Sequence, residues 1–211
     1  MQIIDCEQNS PAWKAARMGI PTASMFAAVC QLPGPRGGSA SARDTYLYKL
    51  AGEQLTGLQM ANVNTATTRR GHDREQIAVD RYEFITGNQC EKVGFIRNDD
   101  LVRIGGVGAS PDRLIDSDGL LEAKTREAHL QIELLLTDQL PPEHIYQIQG
   151  QLWVAERDWC DFICESPRLE LFTKRVYRND RMAAEIKVAV DQFNQDLEDV
   201  IYTIRRRIDD E

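Results

Sequence analysis

Apolar residues recur every three or four positions through Met182, Ile186, Ala189, Val190, Phe193, Leu197, Val200, Ile201, Ile204 and Ile208. That repeat lines one face of a helix, so a long C-terminal amphipathic helix is expected. The same period predicts helices from Ala42 to Leu55, closed by Gly57, and from Gly71 to Thr86, stopped by Gly87. Two short helices precede them, Pro11 to Met18 and Thr22 to Cys30, the second with Thr22 as N-cap. Another starts near Pro142 and runs through EHIYQIQGQLWVAE. Strand signals occupy Cys90 to Arg97, Leu101 to Val107, Asp112 to Ile115, Leu120 to Lys124, Asp161 to Glu165 and Leu169 to Val176. Helices, a strand meander, a helix, two strands and a helix predict a single α/β domain over residues 1–211, its mixed sheet flanked by helices.

Composition narrows this picture. A chain of 211 residues that is 42% hydrophobic can bury one ordinary core. No stretch approaches the roughly 18 unbroken apolar residues of a membrane span. The opening MQIIDCEQNS lacks the basic and apolar regions of a signal peptide, so a cytoplasmic location without membrane contact is expected. The segment QLPGPRGGSASA, Gln31 to Ala42, reads as a mobile surface loop. The 5 cysteines include no C-x-x-C, and His72, His129 and His144 stand apart in sequence. Core thiols in a reducing compartment fit better than zinc. A net charge of −8 argues against a nucleic-acid coat protein but leaves room for a nucleic-acid enzyme whose carboxylates hold cations. Arg205, Arg206 and Arg207 suit the negative end of the last helix dipole.

Against this background, GASPDRLIDSDGLLEAKT is anomalous, because Asp112, Glu122 and Lys124 interrupt two strands that otherwise read as buried. A three-residue loop of Ser117, Asp118 and Gly119, closed by a left-handed glycine, would set Asp112 opposite Lys124. Side chains alternate along strands, so Asp112, Glu122 and Lys124 would share one face, with Glu122 diagonal to Asp112. Two carboxylates so placed can ligate a hard divalent cation. A solvated cross-strand ladder is the alternative. Leu120, Leu121 and Ala123 around Glu122, and Pro111 breaking the chain before Asp112, favour the metal site.

Pro111-Asp112, nine residues, then Glu122-Ala123-Lys124 resembles the P-D…E-x-K arrangement of restriction-endonuclease-like nucleases. Four further blocks resemble the lambda exonuclease or YqaJ-type viral recombinase family. They are PAWKAARMGIPTAS (Pro11 to Ser24), RGHDRE (Arg70 to Glu75), GASPD before the catalytic aspartate, and YQIQGQ (Tyr146 to Gln151). The resemblance implies a restriction-endonuclease-like core and a magnesium-dependent nuclease with two ions per site, manganese substituting. It implies processive 5′-to-3′ digestion of one strand of linear duplex DNA, leaving 3′ overhangs for single-strand annealing. It further implies a ring-shaped homotrimer and a single-strand annealing protein as partner. A restriction- or repair-type endonuclease with the same metal site, or a binding subunit with a vestigial site, are the alternatives.

Residue by residue, the resemblance makes Asp112, Glu122 and the Ala123 carbonyl metal ligands, and Lys124 the group that orients the attacking water. Glu75 lies in line with Ala78, Val79 and Tyr82 on its helix. It is either a second-metal ligand or an exposed first-turn acid favoured by the dipole. Arg17, Thr22 and Ser24 would take the terminal 5′-phosphate, with Ser110 donating to the same DNA. Tyr146, Gln149 and Gln151 would contact phosphate or water at the metal. Trp13 reads as a packing anchor, and Arg36 or Arg43 as a cation available to part the DNA end.

Overall fold

Two consecutive strand segments with apolar residues on both faces demand a place at the centre of a sheet, covered on each side. The computed structural model describes residues 1–31, 41–59 and 66–209, without the side chains of 66–73 and 209. In chain order the elements are β1 (Gln2–Ile4), α1 (Pro11–Ala16), α2 (Phe26–Val29), α3 (Ala42–Thr56), α4 (Ala66–Thr86), β2 (Cys90–Lys92), β3 (Phe95–Arg97), β4 (Gly108–Ala109), β5 (Arg113–Ile115), β6 (Gly119–Thr125), α5 (Ala128–Thr137), α6 (Ile145–Val154), β7 (Trp159–Glu165), β8 (Phe172–Tyr177) and α7 (Asp180–Asp209).

β6 and β7 pair in parallel from Gly119 against Trp159 to Thr125 against Glu165, and α5 and α6 supply the crossover that parallel pairing needs. β5 and β2 extend the sheet antiparallel on one side and β8 on the other, in the order β2-β5-β6-β7-β8. On one face Leu120, Cys160, Phe162 and Cys164 meet α2, α3, α6 and α7. On the other, Ile115, Leu121, Ala123 and Ile163 meet Ala78, Val79 and Tyr82 of α4. All five cysteines are free thiols, with Cys160 and Cys164 buried on the first face, one on each side of Phe162. Among the described residues no helix is long and apolar enough to cross a membrane.

α7 follows its sequence period: Ile186, Val190, Phe193, Leu197 and Ile201 are buried. Other segments depart from expectation. The strand expected from Cys90 to Arg97 is two strands in different sheets, because β3 leaves to pair with β1 and β4. Gly94 permits the crossing, since a Cβ there would lie 2.3 Å from the Cys6 carbonyl. Leu101 to Val107 forms no strand. Side chains of α7 take the backbone bonds that a partner strand would supply. Asp191 accepts from the Arg103 N–H at 2.9 Å, and Asn194 donates to the Ile104 and Gly106 carbonyls at 2.9 and 3.2 Å. α5 was not expected. Its apolar residues divide between faces, Leu134 buried but Ile132 and Leu136 exposed, and its buried Gln131 donates to the Cys164 and Glu170 carbonyls. Most of the surface loop expected from Gln31 to Ala42 lies outside the described residues, which resume at Ser41, the capping-box residue of α3.

Candidate active site

β5 and β6 form the expected hairpin with a shifted register. Ile115 pairs with Gly119 and Arg113 with Leu121, so the loop is Asp116 to Asp118. Asp116 takes the left-handed conformation, φ 46°, which aspartate tolerates. Gly119 is needed for another reason: a Cβ there would lie 2.3 Å from the Trp159 ring. Arg157 locks the turn by donating to the Asp116 and Gly119 carbonyls at 2.7 and 3.1 Å. The Asp112 N–H also donates to the carbonyl of Leu121, the partner of Arg113, so the strand is bulged at Asp112, just before its last ladder pair. A slip of two residues preserves the face. The Asp112 carboxylate accepts the Ala123 N–H and is acted on by Glu122 and Lys124, so the three charged groups converge as expected.

Glu122 is 1% exposed and gripped by three donors. Lys124 Nζ and Gln147 Nε2 reach Oε1, the latter at 2.6 Å, while Gln151 Nε2 reaches Oε2 at 2.7 Å. Gln147 was not among the expected site residues. Its spacing of four from Gln151 places both amides on one face of α6, and that spacing was the available signal. Asp112 accepts the Ala123 N–H on Oδ2 at 2.7 Å, and Oδ1 has no hydrogen-bond donor among the described residues. Burial raises the Asp112 carboxyl well above its ordinary range; Glu122 and Glu75 add to the rise, and Lys124 opposes it. Burial alone would depress Lys124, but Glu122 and Asp112 outweigh it and keep the ammonium above its ordinary value.

Among the described residues the cluster thus sets three acids against Lys124 and, at Glu75, Arg113, beside a cleft of about 730 Å³ that Asp112, Glu75 and Arg113 help to line. Its all-oxygen donors, including a carboxylate oxygen with no donor among the described residues, fit a hard divalent cation such as magnesium. Among the described residues no three His, Cys, Asp or Glu side chains converge as a complete metal cage. Glu75 lies 3.6 Å from Arg113 Nη1. Magnesium tolerates such a sparse protein ligand set because it retains waters and takes substrate phosphate oxygens.

A second polar cluster adjoins the first. Arg17 Nη2 donates to Thr22 Oγ1 at 3.1 Å, and Ser24 Oγ lies 3.4 Å from the same oxygen. Thr22 occupies the N-cap position of a 3-10 turn, but its side chain makes no cap bond. Buried Tyr46 sits beneath, its hydroxyl accepting the Thr22 N–H at 3.2 Å. Trp13 joins the two clusters: its ring packs 4.1 Å from the Arg17 guanidinium and its indole N–H donates to Ser110 Oγ at 2.8 Å. Burial lowers Arg17 from its ordinary value, with Tyr46 and Glu53 opposing.

Other expected residues stand elsewhere. Gln149 turns from the carboxylates to join α6 to β8 and α7, donating to the Tyr177 carbonyl at 2.9 Å and accepting the Asn179 N–H at 2.8 Å. Tyr146 is 37% exposed at the start of α6. Arg43 is buried against Phe193 and ion-paired with Asp196, which removes it as an end-parting cation. Arg36 and the Arg70 side chain lie outside the described residues.

Comparison with known proteins gives a consistent answer. Curated protein sequences yield no significant match. An alkaline exonuclease from Laribacter hongkongensis, LHK-Exo, superposes with a TM-score of 0.82 at 35% identity, covering 95% of this chain and 99% of its own. The structure of LHK-Exo in complex with dAMP gives a TM-score of 0.84 at the same identity and coverage. A phage-related exonuclease from Haemophilus somnus 129PT shares the fold at a TM-score of 0.61 and 15% identity, over 88% of this chain and 96% of its own. The architecture is the restriction-endonuclease-like one that the catalytic strands led us to expect. Residues 12–158 match the YqaJ-like viral recombinase domain, and the chain belongs to that family.

Proposed function

We propose that this deoxyribonuclease is a magnesium-dependent 5′-to-3′ exonuclease that digests one strand of linear duplex DNA processively and leaves 3′ overhangs for annealing. The observation that carries the reading is the convergence of Asp112 and Glu122, with Lys124 beside them and two glutamines fixing Glu122. The alkaline exonuclease relative solved with dAMP supports a nucleotide-releasing reaction.

Asp112, Glu122 and the Ala123 carbonyl would hold the ion, and Glu75 would serve a second. Magnesium, when bound, supplies charge that offsets the phosphodiester and acidifies water; manganese can replace it. Lys124, kept protonated by its neighbours, orients the attacking water through an Nζ N–H. Gln147 and Gln151 hold the Glu122 oxygens in place, so no reorganisation is needed at the moment of reaction. Arg17, Thr22 and Ser24 take the terminal 5′-phosphate, Arg17 by its planar fork, and Ser110 donates to the same DNA. Tyr146, at the exposed start of α6, is available to the DNA backbone. A homotrimeric ring around the duplex would account for processivity in a chain of net charge −8, and a single-strand annealing protein would receive the overhang.

The test is release of nucleotides from linear duplex with and without a 5′-phosphate, in magnesium and then in chelator. Phosphorylated ends should be digested faster, closed circular plasmid should survive, and chelator should stop the reaction. Cutting of the closed circle would replace this reading with an endonuclease. Sedimentation as a monomer at micromolar concentration would remove the ring.

A further inference from the structure

Resting on the reading above, the geometry points to Arg126 as a phosphate-binding residue for the nucleotide on the 3′ side of the scissile bond. The Arg126 N–H donates to the Glu165 carbonyl at 3.1 Å, a bond of the last β6–β7 pair, so Arg126 still follows the strand. Glu122, Lys124 and Arg126 therefore point to the same α6 side of the sheet. Contacts agree: Arg126 Nη2 donates to Glu143 Oε1 at 2.7 Å and lies 3.3 Å from His144 Nε2, both in the turn leading into α6.

Two features separate this cation from its neighbours. Lys124 is already engaged by Glu122, and Arg113 is turned toward Gln76 and Glu75. Arg126 is held through one nitrogen, and its Nε and Nη1 have no acceptor among the described residues. Its side chain is 18% exposed, so those donors can meet solvent or a ligand. Behind it His144 packs on Phe162, ring centroids 5.2 Å apart. Burial holds that imidazole below its ordinary value, aided by Lys124 and Arg126, which suits a neutral ring accepting the Arg126 N–H.

The phosphate it meets follows from what adjoins the carboxylates. The Arg17–Thr22–Ser24 cluster meets β4 through the bridge of Thr22 to Gly108, which precedes Asp112 in the chain. Arg126 follows Glu122 at the end of β6, beside β7. A strand whose 5′ end sits in the first cluster and whose scissile phosphate lies over Asp112 and Glu122 reaches Arg126 with the phosphate that follows.

The experiment pairs Arg126→Ala with a duplex carrying one neutral methylphosphonate at that phosphate. Wild-type kcat/KM on unmodified DNA should fall ~10–100-fold with either change alone, the scale of one charge-assisted hydrogen bond, and little further with both. Arg126→Lys should recover part of the loss. The salt slope of DNA binding, measured in calcium, should drop by about one in Arg126→Ala. Losses that multiply when both changes are made, or an unchanged salt slope, would assign Arg126 a structural role and overturn the inference. Failure of the wild-type protein to release nucleotides from unmodified duplex would instead overturn the nuclease reading on which it rests.

Discussion

Two buried carboxylates sit on adjacent strands of one sheet and face opposite layers. Asp161 on β7 is compensated in full: Arg175 grips both oxygens at 2.8 Å, and Tyr82 donates its hydroxyl at 2.5 Å. Glu122 on β6 also has every oxygen occupied, but by one ammonium and two neutral amides, with the Asp112 carboxylate close enough for its pKa to be raised by Glu122. Both are close to fully buried, Asp161 at 3% and Glu122 at 1%. Burial therefore does not distinguish a structural carboxylate from a reactive one. The balance of charge does: Asp161 is paired one to one, whereas the Asp112–Glu122 site is short of positive charge and calls for a cation.

The largest effects should fall on opposite observables. Asp112→Asn or Glu122→Gln should lower nucleotide release at least a thousandfold, about 4 kcal/mol of transition-state stabilisation, while urea unfolding of the metal-free protein changes little or improves. Arg175→Met strands the Asp161 charge and should cost about 3 kcal/mol of stability. That lies at the low end of the range because Tyr82 still donates. The folded fraction should keep its turnover within about threefold. If Arg175→Met abolished turnover in protein shown to be folded, the two carboxylates would not differ in kind.

Next in size is the response to metal and pH. A divalent ion binding only the folded state adds about 2.7 kcal/mol at a hundred times its dissociation constant. Magnesium or manganese should therefore raise the melting temperature of the wild type, and not that of Asp112→Asn. Without metal the sign of the pH effect follows from Asp112, whose carboxyl is raised by burial first and by Glu122 second. The fold then binds that proton more tightly than the unfolded chain, where aspartate titrates near ~3.9. Its contribution to stability is complete below that value and is lost as pH rises through the folded value. Urea midpoints in chelator should show this decline for wild type, with Asp112→Asn lacking that component. Equal pH profiles would remove the charge deficit on which the comparison stands.

How much of this was legible beforehand depended on whether one local signal controlled the outcome. Period 2 alone put Asp112, Glu122 and Lys124 on one side, and it tolerated the shift in register because two residues restore the face. The identity of the loop was not legible, since Gly119 is required by the Trp159 ring and not by its own backbone angle. The spacing of YQIQGQ announced an inward glutamine face but not its phase. Gln147 and Gln151 point to Glu122 while Gln149 points to β8, a choice made by packing against a sheet that local pattern does not describe. α5 escaped because its apolar residues fall on both faces, Leu134 buried and Ile132 and Leu136 exposed. Asp161 carried no sequence signal at all, because its partners arrive from α4 and β8.

The smallest expected effect is the sharpest check, because each network contains a neutral amide. Asn88 donates to the Tyr82 hydroxyl at 2.8 Å and so supports Asp161 at one remove, as Gln151 supports Glu122 directly. Gln151→Leu takes an N–H from a carboxylate meant to hold a cation, and should slow turnover roughly tenfold to a hundredfold while raising the magnesium needed. Asn88→Ala removes one bond to a hydroxyl that keeps its own acceptor. It should cost about 1 kcal/mol in urea unfolding and leave both turnover and magnesium dependence unchanged. The pair isolates the distinction because the same functional group is deleted in both. If Asn88→Ala altered magnesium dependence, the sheet would transmit the state of one carboxylate to the other, and the two layers would form one coupled site.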